Sequence, residues 1–122
     1  MMIDLIRKPS RGVAIIYVRK NTCVLNAAAS KLLGLCSGMR LLVRYDTEDK
    51  FCGRDRIYVA STTAPFGYEL TKRNRTFEVH STALCRALAN CLDGEGAYRV
   101  CQEVNKVCDG QQYYEIFFRK YE

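Results

Sequence analysis

Apolar and polar positions near the start of the chain predict a hairpin of two short strands. The segment VAIIYVR, residues 13–19, is rich in β-branched side chains and has the length of a strand. Lys20 and Asn21 can reverse the chain direction. Residues 22–25, TCVL, then form the returning strand, so the first predicted element is a β-hairpin.

A short capped helix is predicted after this hairpin. Asn26 stands where a helix N-cap is required, because its side-chain oxygen can accept a hydrogen bond from a free backbone N–H. Residues 27–33 place apolar side chains on one helix face at i, i+3 and i+4 spacing. Gly34 suits the left-handed residue that ends a helix, and Gly38 suits a turn before the apolar strand at 39–45.

The polar segment DTEDKFCGRD, residues 46–55, predicts a loop before the next strand at 56–62. Its carboxylates offer oxygen ligands for a divalent cation, but they lack the order of an EF-hand, so a solvated turn is the simpler interpretation. We therefore expect neither a metal nor a cofactor. Pro65 and Gly67 then mark a break in the pattern.

The second half of the chain repeats much of this layout. YELT and TFEV can pair across the turn KRNR. His80 or Ser81 takes the cap position, with Ser81 the better acceptor, and the second helix covers residues 82–92. Two further strands, AYRVCQEV and YYEIFFRKY, follow, and Asp109-Gly110 provides the turn signal between them.

The pattern therefore predicts an α+β fold, with one β-rich domain over residues 1–122 and two short helices. An N-terminal arm, 1–12, precedes two hairpin–helix–hairpin units at 13–62 and 66–121. The strands TCVL and TFEV begin 54 positions apart in these units. Two such units would share one core around a pseudo-two-fold axis, because neither buries enough surface alone. Small α+β domains also reuse hairpins and helices without any repeat, so this alternative stays open.

One stretch resembles a known family. Residues 22–43 contain an apolar strand ending in VLN, a helix, AAASKL, then LGL, CSG and the apolar strand MRLLV. Their order and spacing resemble the AbrB/MazE/SpoVT swapped-hairpin family. The match covers 22 of 122 residues, and its anchors are Leu33-Gly34-Leu35 and Gly38.

The resemblance implies a dimer whose paired hairpins interdigitate, and basic residues near the first hairpin and helix that contact duplex DNA. This sequence departs from the family pattern at three points. Asn26 replaces the proline that starts the helix, Asn21-Thr22 replaces the usual Gly-Arg or Gly-Lys, and Ser30 stands where many members carry Arg. The second half of the chain would then supply the partner unit. The residues left to take over the contacts are Arg19, Lys20 and Lys31.

Charge favours an anionic partner. The chain has 19 Lys and Arg against 13 Asp and Glu, which gives a formal net charge of +6 at pH 7. Basic side chains concentrate at the two predicted hairpin tips, and a bound phosphate would reduce the repulsion between them. Arg can donate two parallel hydrogen bonds to a phosphate, and the side-chain amide of Asn can donate another. Charged tips also stay solvated and discourage edge pairing, which is the alternative explanation. The candidate nucleic-acid contacts are Arg19, Lys20, Lys31, Lys72, Arg73, Asn74 and Arg75.

Other functional classes find little support in the sequence. No apolar run reaches the ~20 residues of a membrane span, and the N-terminal stretch lacks a signal-peptide pattern, so we expect a cytoplasmic protein without a membrane partner. The seven cysteines include no Cys-x-x-Cys pair, which argues against zinc and favours buried free thiols. His80 is the only histidine, and neither Ser81 nor Cys85 shares its direction, so we expect no catalytic residue and no enzyme.

The sequence thus predicts a non-catalytic nucleic-acid-binding protein, of the kind that regulates transcription or acts as an antitoxin. It would contact a phosphate backbone, expected to be DNA, through its hairpin tips, and a homodimer is a further expectation. The alternative is a protein–protein interaction or assembly module. The C-terminal segment YYEIFFRKYE carries more aromatic side chains than one strand face can bury. Those rings would form an interface, or else belong to a central strand covered on both sides.

Overall fold

The computed structural model describes residues 12–51, 53–104 and 106–120, so the predicted N-terminal arm lies outside the described residues except for Gly12. The elements confirm an α+β fold with two short helices, each ending one residue before its predicted end. In chain order they are β1 (Ile15–Val18), β2 (Thr22–Leu25), α1 (Ala27–Leu32), β3 (Arg40–Phe51), β4 (Arg54–Thr62), β5 (Tyr68–Glu69), β6 (Thr71–Arg73), β7 (Thr76–His80), α2 (Thr82–Cys91), β8 (Gly96–Val100), β9 (Lys106–Cys108) and β10 (Gln111–Lys120).

One antiparallel sheet contains all ten described strands and nearly closes on itself. The order along the sheet is β5, β3, β4, β10, β8, β1, β2, β7, β6, and β9 pairs with β10 outside this path. The two ends of the path, β5 and β6, are consecutive in the chain and separated only by Leu70. The sheet therefore curves until its ends meet in a single stretch of chain. None of the described helices is long and apolar enough to cross a membrane.

The main hydrophobic core lies on the inner face of this sheet and includes side chains from both helices. Tyr98, Ile16 and Leu25 are among its largest fully buried side chains. Leu84 and Leu88 bring the predicted apolar face of α2 onto the core. Because each such side chain stabilises the fold by roughly 1.5–3 kcal/mol when fully buried, this cluster is the main source of stability.

A smaller cluster lies on the opposite face of β4 and β10. Tyr58 and Ala60 alternate with the inward-facing residues of β4 and contact Leu42 and Tyr113. Tyr113 is 3% exposed, while Tyr114 and Phe118 pack against the main core instead. β10 is thus a central strand between β4 and β8, and Tyr113, Tyr114 and Phe118 pack on its two faces.

Three predictions about strands and loops were wrong. YELT does not form one strand, because Tyr68–Glu69 is β5 and pairs with β3, whereas Thr71–Arg73 is β6 and pairs with β7. The predicted loop at 46–55 is mostly strand, because β3 continues to Phe51 and pairs with β4 as far as Arg54. Asp46 stays in the ladder through its ion pair with Lys106, and Thr47 and Glu48 are exposed to water. The strand predicted over AYRVCQEV ends at Val100, and β9 follows it. β9 has only three residues, too short for a periodic signal, and it is held by the predicted Asp109-Gly110 turn.

The hairpins β1–β2 and β6–β7 have the same register. Val18 pairs with Cys23, and 54 positions later Lys72 pairs with Phe77. β2 and β7 also pair with each other. The strand that follows each helix pairs with the other half of the chain: β8 pairs with β1 of the first hairpin, and β3 pairs with β5, the short strand that precedes the second hairpin. Strand pairing between the halves therefore builds the sheet.

Candidate nucleic-acid interface

The first hairpin tip, called tip 1, consists of Arg19, Lys20 and Asn21. The Arg19 N–H donates to the Thr22 carbonyl over 3.0 Å, which confirms the predicted turn at Lys20-Asn21. All three tip side chains are exposed. The Arg19 guanidinium lies 5.6 Å from the centre of the half-buried Tyr17 ring, within cation–π range. The ring therefore supports the Arg19 side chain and leaves its N–H groups accessible.

The second tip, called tip 2, consists of Lys72, Arg73, Asn74 and Arg75. The sequence placed all four in a turn, but Lys72 and Arg73 end β6, and the turn contains only Asn74 and Arg75. Asn74 adopts a left-handed backbone with φ 60°, which Asn tolerates better than most residues. The Thr76 hydroxyl donates to the Arg73 carbonyl over 2.9 Å and closes the turn. All four tip side chains are exposed.

The two tips lie at opposite ends of the β2–β7 ladder. Thr22, which follows tip 1, pairs with His80, whereas Thr76, which follows tip 2, lies beyond the Leu25–Phe77 pair at the other end. About six residues of strand separate the tips, which corresponds to roughly 20 Å. Hydrogen bonding along the ladder fixes this separation.

Tip 1 also contacts the start of α2. The Thr82 hydroxyl donates to Asn21 Oδ1 over 3.1 Å, and Thr22 Oγ1 lies 3.4 Å from His80 Nδ1. Ser81 caps this helix through its hydroxyl, which accepts from the Leu84 N–H over 3.1 Å, as predicted. The cap fixes the position of Thr82 and so fixes one side of tip 1.

The tips remain strongly positive. Glu78 lies between them on the outer face of β7, 3.5 Å from Arg73 Nε and 3.1 Å from His80 Nε2. Within the part of the chain that the structure describes, no carboxylate lies within ion-pair distance of Lys20, Lys72 or Arg75. An anion at either tip would therefore meet cations that no protein carboxylate neutralises.

Lys31 belongs to α1 and to neither tip. It is exposed in the last turn of α1, and no hydrogen bond or ion pair between described residues joins it to either tip. Ser30, where the resembled family often carries Arg, is 5% exposed, and its hydroxyl donates to the Leu25 carbonyl over 3.2 Å. That position therefore faces the protein interior.

Sequence reasoning missed Glu78, Thr82 and the surface role of His80. A signal for two of them was present, because the alternation in TFEVH puts Glu78 and His80 on the same strand face. The contact of Thr82 with Asn21 joins residues 61 positions apart and leaves no local signal. These residues set the electrostatics of the ladder between the tips.

A cleft of about 270 Å³ opens on another part of the surface, beside the β3–β4 hairpin. Arg44 lies over the Tyr113 ring at 5.4 Å, and Lys106 lies over Tyr58 at 5.5 Å and forms an ion pair with Asp46. Asp46 thus offsets the charge of Lys106 in this cleft, whereas among the described residues Lys20, Lys72 and Arg75 have no carboxylate within ion-pair distance. The two tips are the better candidates for binding an anion.

Comparison with known proteins does not add a function. No protein-family model, no curated protein and no solved structure matches this chain. The function is therefore inferred from the geometry and charge of the described residues.

Proposed function

We propose that this protein binds the phosphate backbone of duplex DNA, without catalysis, through tip 1 and tip 2. The observation that carries the proposal is the pair of exposed basic tips held at the two ends of one ladder. Arg19, Arg73 and Arg75 offer guanidinium forks, and Lys20 and Lys72 offer point charges, which are the groups that commonly contact phosphate. Asn21 and Asn74 add neutral hydrogen-bonding groups.

The geometry favours a duplex over a single strand. A duplex presents its phosphates at fixed separations. Two tips held about 20 Å apart can therefore contact two phosphates without restricting the conformation of the DNA any further. Proteins that bind single strands use exposed aromatic rings on which bases stack. Tyr17, the ring next to tip 1, is half-buried and covered by Arg19.

The repeated plan is part of the same proposal. The common register of the two hairpins supports it, as do the pairings of β8 with β1 and of β3 with β5 between the halves. In the swapped-hairpin family that residues 22–43 resemble, two chains contribute such units. Here one chain would contribute both, so that a monomer already presents two tips. Control of transcription or an antitoxin-like role would follow if binding is sequence-specific, and a homodimer stays a prediction.

The alternative function, an interaction module built on the C-terminal strand, has fewer exposed rings than the sequence suggested. Among the described aromatic side chains of β10, only Phe117 is exposed, at 38%. Tyr113 fills the smaller cluster, and Tyr114 and Phe118 pack against the main core. The two basic tips offer more accessible chemistry.

Fluorescence anisotropy over a salt series tests the proposal, with one labelled sequence supplied as duplex DNA, as single-stranded DNA and as RNA. We expect the duplex to bind most tightly. The logarithm of the association constant should fall with the logarithm of salt concentration. The slope is roughly 0.9 for each phosphate contacted, and thus up to about 4.5 if all five tip cations contact phosphate. Absence of binding at low salt, or a slope near zero, would overturn the proposal. Tighter binding of a single strand would reject the duplex.

Replacing Glu78 with Gln should tighten duplex binding about two- to fivefold at low salt, since a surface ion pair is worth a few tenths to 1 kcal/mol. The change removes a negative charge between the tips and releases Arg73 and His80 from it. Glu103→Gln is the matched control, because Glu103 is exposed in the loop after β8 and its loss changes the net charge equally. An equal gain in both variants, or a loss in Glu78→Gln, would contradict a specific role for Glu78.

A further inference from the structure

We infer that Cys23 and Cys85 are a site of oxidative modification, at which a hydroperoxide converts the two thiols into a disulfide that joins the two halves of the chain. Their sulfur atoms lie 3.2 Å apart although the residues are 62 positions apart in sequence. Cys23 belongs to β2 and Cys85 belongs to α2. The site does not depend on the proposed DNA binding.

The fold holds these two thiols in contact. Cys23 is fully buried and Cys85 is 1% exposed, and both belong to the main core. The Ser81 cap orients α2 so that Cys85 and Leu88 face the sheet. A disulfide bond is about 2.05 Å long, so the sulfur atoms need to approach by only about 1 Å. The contact is distinctive among the described cysteines, since no other pair of their sulfur atoms is in hydrogen-bonding contact.

The reaction balances with the hydroperoxide as the oxidant. One sulfur attacks a peroxide oxygen, which forms an S–O bond, breaks the O–O bond and yields a sulfenic acid; hydrogen peroxide releases water in this step. The second sulfur then attacks the sulfenic sulfur, which forms the S–S bond and breaks the S–O bond with loss of another water. The two thiols lose two electrons and two protons in total, and the peroxide is reduced.

Burial sets the rate and the choice of oxidant. Burial, with the neighbouring Cys85 thiol as a further cause, raises the pKa of the Cys23 thiol well above its usual range. Its thiolate is therefore scarce, and the first step is slow. Only a small oxidant reaches the pair. Cys36 is exposed and accepts peroxide more readily, but no described cysteine sulfur contacts it.

Intact-mass spectrometry on the full chain tests this inference. The protein is exposed to hydrogen peroxide for increasing times, quenched, unfolded and alkylated with N-ethylmaleimide. We expect a species that has lost the mass of two hydrogen atoms and carries two fewer alkyl groups than the seven cysteines allow. Proteolysis should give a cross-linked peptide that contains Cys23 and Cys85. Thermal unfolding of this species should shift upward by on the order of 10 °C, reversibly with dithiothreitol.

Variants identify the pair. Cys85→Ala should abolish the cross-linked species, whereas Cys36→Ser should leave it unchanged. Two results would overturn the inference. In the first, Cys36 is fully oxidised while all the other cysteines still react with N-ethylmaleimide. In the second, the cross-link maps to a different pair of cysteines. Because the wild-type experiment needs no substitution, poor folding of Cys85→Ala would not remove the test.

Discussion

Replacing Asn26 with Ala should lower the free energy of unfolding by about 3 kcal/mol, a large effect for one polar side chain. Asn26 Oδ1 accepts from the Ala29 N–H over 2.9 Å and caps α1. The same oxygen accepts from the Ile15 N–H over 3.1 Å, and Nδ2 donates to the Val13 carbonyl over 2.8 Å. One amide therefore joins the start of α1 to the start of β1.

The expected loss has two parts. Losing a helix cap costs about 1 kcal/mol. Two backbone groups, the Ile15 N–H and the Val13 carbonyl, then lose their side-chain partner in a partly buried place, at about 1 kcal/mol each. Ala also leaves the space of the amide unfilled.

Urea denaturation of Asn26→Ala and Ser81→Ala measures this difference with a matched control. Ser81 caps α2 through one bond, to the Leu84 N–H, so its loss should cost only about 1 kcal/mol. Asn26→Asp keeps the oxygen acceptor and loses the donor to Val13, so its stability should be intermediate. Equal losses in the two Ala variants would mean that the contacts of Asn26 with β1 contribute nothing.

Asn26 also shows how far the sequence predicts this fold. Its role as a cap was predictable, because capping depends on residues within one turn. Gly34 and Gly38 were predictable for the same reason, and they adopt the positive φ values of 66° and 89° expected at a helix end and a turn. The bonds from Asn26 to Val13 and Ile15 were not, since they depend on β1 lying beside the helix start.

Pairing across the sheet lies beyond local signals. The polar residues near Asp46 suggested a loop, yet they continue β3 because β4 provides a partner and Lys106 provides a countercharge. The joining of β3 with β5 and of β8 with β1 depends on which apolar faces meet in the core, and no stretch of ten residues encodes that choice.

The candidate site divides in the same way. Each tip was predictable as a run of basic residues beside a turn signal. Their relation was not, because it depends on the β2–β7 ladder, which places Glu78 between them and Thr82 against Asn21. Lys31 was grouped with the tips by analogy with the family, and its place in the last turn of α1 follows from the helix pattern rather than from a turn signal.

Replacing Lys72, Arg73 and Arg75 together with Ala should weaken duplex DNA binding by roughly tenfold or more at about 0.1 M salt. The variant removes the three cations proposed to contact phosphate, and Glu78 loses its Arg73 partner and adds a repulsive charge. The salt dependence of binding should also weaken. In a plot of the logarithm of the association constant against the logarithm of salt concentration, the magnitude of the slope should fall by up to about 0.9 for each lost contact. Anisotropy titrations with the folded variant measure both quantities.

The matched control removes three charges elsewhere, by Ala at Arg44, Arg99 and Lys120, which are exposed and outside both tips. An equal loss in this control would mean that binding follows net charge alone. Unchanged affinity in the tip 2 variant would mean that tip 2 is not part of the DNA-binding surface.

Ala at Arg19 and Lys20 gives the corresponding variant of tip 1. If the rigid ladder presents both tips to one duplex, each variant alone weakens binding and their losses of free energy add when combined. If the tips bind separate duplexes, removing one instead halves the stoichiometry and leaves the remaining affinity unchanged.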